Sequence, residues 1–198
     1  QYFDSTISFM RGRLSNGKWR SPFNPFFSEH AAGDYVEGNA WQYTWLVPQN
    51  PNGLINLMGG DEKFVKKLDS LFVVKGYMGP NASPDISGLI GQYAQGNEPN
   101  HHTPYLYAFA GQPWKTAALI RNIADTFYTA KTDGLCGNED LGQMSAWYVF
   151  SAMGFYPVNP ANGVYVMGSP LVNSATIKTA GKIFTVEAVN NSKKNKYI

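Results

Sequence analysis

Gly137-Asn138-Glu139-Asp140-Leu141-Gly142-Gln143-Met144-Ser145-Ala146-Trp147 is the stretch on which this chain turns. A Gly-Asn turn delivers two carboxylates. A strongly apolar run, Met144 to Met153, then carries the chain away as a helix that is apolar nearly all round and therefore expected to be buried. Carboxylates at the mouth of a buried helix are costly unless they are solvated, paired or bound to a metal. The bland explanation is that Asp140 caps the helix, accepting backbone N–H bonds at its positive end. The alternative is that it does chemistry.

Working outward, Gly154 ends this helix, and Pro157 and Pro160 prevent its return. Upstream, Gln112-Pro113 is a helix start, and the spacing of Leu119, Ile120, Ile123 and Phe127 predicts a long helix from Trp114 to Ala130. Thr103-Pro104 reads as N-cap and first helical residue of a shorter helix that runs to Ala110 and stops at Gly111. Asp61 opens an amphipathic helix with Phe64, Val65, Leu68, Leu71 and Phe72 inward and Lys63, Lys66, Lys67 and Asp69 outward. Asn39 is the expected N-cap of a short helix ending before Pro48. Pro51-Asn52-Gly53 reads as a turn, Leu54 to Met58 as one helical turn, and Gly59-Gly60 as its break. Near the start, Phe9 to Leu14 is a short strand that points Arg11 and Arg13 the same way, followed by an Asn-Gly turn at Asn16-Gly17. After Asn162-Gly163 the texture changes. Val164-Tyr165-Val166, Ala175-Thr176-Ile177 and Ile183 to Glu187 are strands. The chain therefore reads as helical to about Val158, with the start of a β domain after it.

With 198 residues, the chain has room for one domain or a domain and a half. Its hydrophobic share of 43% argues against disorder. The aromatic share of 15% suits a large core or the stacking surfaces that sugar sites use. A net charge of +2, with no long basic run, argues against nucleic acid as a partner. Cys136 is the sole cysteine, so no disulfide forms within the chain. No apolar run reaches about 18 residues, so no membrane span is expected. The chain starts at Gln1 without a signal-like segment and ends at Ile198 in a strand-like pattern, so both ends read as cut from something longer.

Three Gly-Asn loops precede helices: Gly38-Asn39, Gly96-Asn97 and Gly137-Asn138. Each carries a carboxylate beside it, namely Glu37, Glu98, and Glu139 with Asp140. Loops that enter successive antiparallel helix pairs emerge on one rim, so all three acidic loops are expected to converge. His101 and His102 lie beside the second loop. Adjacent histidines project differently, and no H-x-x-x-H spacing follows, so a zinc hydrolase is not expected.

Four longer segments are recognisable: Glu37 to Trp45, Asp85 to His102, Gly111 to Lys115 and Gly137 to Pro157. Together with Phe9 to Arg13 and Gly168 to Pro170, they resemble glycoside hydrolase family 92 over nearly the whole chain. The resemblance implies a calcium-dependent, inverting exo-α-mannosidase, with α-1,2 the linkage first expected, acting on terminal mannose of glycans. It implies a mainly α fold: residues 1–160 as part of an (α/α)6 toroid, and residues 161–198 as the first strands of a C-terminal β-sandwich. It implies, too, that the rest of the protein, or self-association, covers the faces this piece leaves open. A secreted, periplasmic or cell-surface location in a bacterium follows from the family alone.

Carried over residue by residue, the resemblance makes Glu37 the general acid and Asp140 the general base. Asn138 stands where some members have a second Asp that supports the base, a departure in charge. Asn97 and Glu98, with Asp140, fall in the calcium region. Trp41, Gln42, His102 and Gln143 are the sugar contacts it implies. The residues suit these roles. Inversion needs one protonated carboxyl to donate to the leaving oxygen and a second carboxylate to activate water on the opposite face. Tyr35, Val36, Trp41 and Trp45 surround Glu37 in sequence and are expected to keep it protonated. Calcium prefers oxygen ligands of the carboxylate and amide kind gathered on this rim. The competing class is a non-catalytic, carbohydrate-binding helical module that keeps the aromatic rim and does no chemistry.

Overall fold

A computed structural model describes residues 2–197; Gln1 and Ile198 lie outside the described residues. Near the start, β1 (Phe3–Asp4) and β2 (Phe9–Met10) form a small antiparallel pair. The strand expected over Phe9 to Leu14 is shorter, and Arg13 continues it only as a bridge to Trp19 across the Asn16-Gly17 turn. Arg11 and Arg13 do share a face: both guanidiniums lie over the Trp19 ring, at 5.9 and 4.4 Å from its centroid.

Asn39 begins the helical part. Its side chain accepts the Gln42 N–H while the Gln42 side chain accepts the Asn39 N–H, a reciprocal capping box that starts α1 (Ala40–Tyr43). The expected turn at Pro51-Asn52-Gly53 is instead the first turn of α2 (Pro51–Met58). The Asn50 carboxamide accepts the Gly53 N–H at 2.9 Å, and Pro51 sits where a helix needs no N–H. Gly59, at a φ of 90°, ends α2. Helix α3 (Asp61–Leu71) buries Phe64, Val65, Leu68 and Leu71, as its period predicts. Lys67, expected on the solvent face, lies over the Phe9 and Trp41 rings at 3.3 and 4.2 Å, and burial lowers its pKa to about 8. Its long apolar stem makes this burial possible.

The long loop after α3 contains a small hairpin, β3 (Leu89–Ile90) with β4 (Tyr93–Ala94). Thr103–Ala110 winds as a 3-10 helix with Tyr105, Leu106 and Tyr107 all buried. Helix α4 (Pro113–Phe127) stops before Ala130 because Tyr128 turns extended, stacks on Trp147 with the rings 5.5 Å apart, and bridges to Leu135. Helix α5 (Gln143–Met153) corrects the expectation of a buried helix. Met144, Trp147 and Ser151 face the core, but Val149 is 53% exposed and Tyr148 is also open.

Strand formation begins earlier than expected, at β5 (Phe155–Asn159) rather than after Val158. Phe155, Tyr156 and Val158 favour a pleated, half-buried surface, and Pro157 is tolerated where the register shifts between Tyr156 and Asn159. Strand β5 pairs antiparallel with β6 (Val164–Met167), so this hairpin runs across the expected boundary at residues 160–161. A last hairpin joins β7 (Ser174–Thr179) to β8 (Lys182–Glu187), with its residues largely exposed. The architecture is thus a mixture of helices and small antiparallel two-stranded sheets around one aromatic core, which corrects a mainly helical expectation.

His101 and His102 tie this core to the loops above it. His101 donates Nε2–H to the Gln95 carbonyl at 2.8 Å, and His102 donates Nε2–H to the Trp45 carbonyl at 2.7 Å. Burial drives both pKa values down to about 4, so both rings are neutral struts. In the unfolded chain they take up protons near pH 6.5. Their contribution to stability is therefore complete above about pH 6.5 and is lost as the pH falls toward 4. Urea midpoints measured across that window should drop, with the drop about halved in a His102→Gln variant because His101 still titrates; a flat wild-type profile would contradict the buried neutral pair.

Candidate active site

The three Gly-Asn loops do meet. Asn97 donates Nδ2–H to the Glu37 carbonyl at 3.0 Å, joining the first loop to the second. Gly96 and Gly137 pack backbone to backbone, and a Cβ on Gly137 would land on the Gly96 main chain. The second and third loops can approach this closely only because both positions are glycine. Burial raises the pKa of Glu98, and the charges of Asp140, Glu37 and Asp85 raise it further. Four carboxylates far apart in sequence therefore share one electrostatic neighbourhood.

Asp140 is not the helix cap. Glu139 takes that role: its carboxylate accepts the Ser145 N–H at 3.2 Å and the Ser145 hydroxyl at 2.8 Å. Asp140 opens a 3-10 turn, Asp140–Gly142, in which Leu141 has a φ of 51° and bends the chain before α5 begins. The Asp140 side chain is exposed on the rim. The two adjacent carboxylates thus differ: Glu139 is engaged by the Ser145 N–H and hydroxyl, whereas Asp140 is not the cap and its side chain stays exposed.

Glu37 is half-buried. Its N–H donates to the Tyr43 hydroxyl at 3.1 Å, and its carbonyl is held by Asn97, so its backbone is fixed from both sides. The apolar cover expected from Trp41 and Trp45 goes elsewhere, since both rings are buried in the core, against Phe9 and Phe64 respectively. A cavity of about 380 Å³, lined by Arg20, Phe23, Phe27, Asp34, Tyr35 and Gly38 among others, opens beside this loop.

The residues expected to contact sugar are placed differently from one another. Trp41, Gln42 and His102 are all buried in this chain. The Trp41 Nε1 and Gln42 Nε2 donors are buried without a partner. Gln143 donates to His101 Nδ1 at 3.2 Å and to the Tyr156 hydroxyl at 3.1 Å, while Trp147 donates Nε1–H to the His101 carbonyl at 2.9 Å. These bonds fix the start of α5 to the Glu98 loop, and so fix Asp140 relative to Glu98.

Asp85 and Tyr43 belong to this neighbourhood and were not singled out in the sequence. Asp85 accepts from Asn138 Nδ2 at 3.2 Å and from the Ser83 hydroxyl at 2.8 Å. Its place at the head of the recognisable Asp85 to His102 segment was the signal for it.

The donor chemistry suits a hard cation. Glu98 Oε1 and Asn100 Oδ1 are buried acceptor oxygens with no partner. No three His, Cys, Asp or Glu side chains gather at metal-holding distance among the described residues. Amide, backbone and hydroxyl oxygens would therefore complete any calcium shell here.

A profile of the family described as the glycosyl hydrolase family 92 catalytic domain matches residues 1–198. A curated relative, an uncharacterized secreted glycosidase of Arthroderma benhamiae, is 31% identical over 205 residues, which is 97% of this chain and 24% of that protein. A family 92 α-mannosidase of Bacteroides thetaiotaomicron, solved in complex with mannoimidazole, is 45% identical with a TM-score of 0.93, over 100% of this chain and 27% of that one. A family 92 inverting mannosidase of the same bacterium is 40% identical with a TM-score of 0.81, over 100% of this chain and 28% of that one. The chain spans about a quarter of the length of these relatives.

Proposed function

The chain belongs to glycosyl hydrolase family 92, and on that premise we propose that it carries the acid and the base of an inverting α-mannosidase. Glu37 is the general acid that protonates the leaving oxygen. Asp140 is the general base that removes a proton from the attacking water on the opposite face. Asn138 supports the base. The observation that carries this is the convergence of Glu37, Asp85, Glu98 and Asp140, with Asp140 left uncommitted by the capping of α5. The family match favours this enzyme over a non-catalytic sugar-binding module.

Calcium is part of the proposal. Asn97 and Glu98, with Asp140 nearby, would hold it. A cation there would offset the burial, and the neighbouring carboxylate charges, that together raise the Glu98 pKa. When bound, it would grip sugar hydroxyls and hold the ring for in-line attack. Trp41, Gln42, His102 and Gln143 complete the mannose pocket, and the buried, unpartnered Trp41 and Gln42 donors are consistent with a pocket that other parts of the protein help to shape. The cavity beside Tyr35 and Gly38 gives the leaving group room.

Residues 1–160 form part of an (α/α)6 toroid and residues 161–198 begin a β domain, the β5–β6 hairpin linking the two. The remaining three quarters of the relatives' length, or a second copy of this chain, covers the open face of α5. A mannose-containing glycan is the substrate, and terminal α-1,2 linkages are the first to assay. The location is outside the cytoplasm; the Arthroderma relative is described as secreted, and no helix among the described residues is long and apolar enough to cross a membrane.

A polypeptide carrying this chain with the rest of the family's length should release mannose from an aryl α-mannoside. Chelator should remove that activity and added calcium should restore it. Full turnover in excess chelator would take calcium out of the mechanism, and no turnover with calcium present would overturn the hydrolase.

A further inference from the structure

Asp85 lies outside every assignment made so far, yet it sits at the centre of a small polar network. Its Oδ2 accepts from the Ser83 hydroxyl at 2.8 Å and faces His30 Nδ1 at 3.4 Å. His30 Nδ1 is also 3.0 Å from the Ser83 hydroxyl. The other oxygen, Oδ1, accepts from Asn138 Nδ2 at 3.2 Å. The Asp85 side chain is only 17% exposed, and its charge is felt at Glu98 and at Tyr43.

A carboxylate only accepts hydrogen bonds, whereas a carboxamide has one donating end and one accepting end. Facing Asp85, Asn138 must therefore present its nitrogen. Its Oδ1 is then the end it offers to everything else. Asn138 lies two residues before Asp140, on the same loop. A water activated by Asp140 gives one proton to that carboxylate and needs an acceptor for its second hydrogen, so that its lone pair points at the sugar carbon.

We propose that Asp85 is a positioning residue for the hydrolytic step: by fixing which end of the Asn138 carboxamide it receives, it turns Asn138 Oδ1 toward the water that Asp140 activates. Ser83 and His30 hold Asp85 in place. This rests on the assignment of Asp140 as base, and it adds a residue from a loop some fifty positions away that never touches substrate. The role concerns the water side only, so it is independent of proton donation by Glu37.

The test is a reciprocal swap assayed on an activated aryl α-mannoside, whose leaving group needs no proton from Glu37. With Asp85→Asn, either amide end can face Asn138, and kcat should fall about tenfold with KM little changed, as for loss of a hydrogen bond to a charged group. Asn138→Asp sets two carboxylates against each other and should also lower kcat. The double variant puts a donor at 85 and acceptor oxygens at 138, and should recover most of the wild-type kcat. Wild-type kcat in Asp85→Asn, or a double variant no better than the poorer single one, overturns the positioning role while leaving the hydrolase intact. A wild-type protein without turnover overturns the hydrolase instead. If Asp85→Asn does not fold, Asn138→Asp decides, because Asn138 is exposed: an unchanged kcat there also overturns the role.

Discussion

Glu37→Gln should lose hydrolysis of unactivated mannosides by about 10²–10⁴-fold, the usual size of a general-acid contribution. The glutamine keeps shape and hydrogen-bonding reach but has no proton to give. Its backbone should not move, because Asn97 and Tyr43 hold residue 37 through main-chain atoms that the substitution leaves alone. An activated aryl mannoside expels a stable leaving group without protonation, so its hydrolysis should be largely spared. The comparison of kcat/KM for a mannobiose and a dinitrophenyl mannoside is therefore the readout. Equal loss on both would mean that Glu37 is doing something other than donating a proton.

Asp140→Asn should behave in the opposite way, with both substrates losing about 10²–10⁴-fold, because every turnover needs activated water whatever its leaving group. Glu139 supplies the control. Its carboxylate caps α5 through Ser145, and a glutamine keeps an oxygen to accept the Ser145 N–H, so Glu139→Gln should cost at most about 1 kcal/mol of stability and leave turnover nearly intact. Near-normal rates in Asp140→Asn, or a large loss in Glu139→Gln, would reverse the two assignments.

That pair of neighbours also marks what the sequence could and could not reveal. The apolar periods of α3 and α4, the Asn39 cap and the glycine stops were legible because each depends on residues within one or two turns. The three acidic loops were legible as a group because each follows the same Gly-Asn pattern. Which of Glu139 and Asp140 caps α5 was not legible, because Leu141 in the left-handed region shifts the helix start to Gln143. A positive φ at a leucine carries no signal of its own. Lys67 also misled, since its place in a run of charges says nothing of the Phe9 and Trp41 rings that reach it from elsewhere in the chain. Strand β5 was obscured by Pro157, whose cost is avoided at an irregularity in the β5–β6 register. Asp85 was missed because its partner Asn138 lies fifty-three residues away. Apolar residues around α5 suggested burial, but the helix has a core on one side only.

The measurement that tests the central claim most directly is proton NMR of the mannose first released from an aryl α-mannoside in the presence of calcium. Glu37 as acid and Asp140 as base, acting on opposite faces of the sugar with water between base and anomeric carbon, predict β-mannose as the initial product, relaxing only later to the anomeric mixture. Initial α-mannose would contradict the account, because retention requires one of these carboxylates to attack the sugar itself.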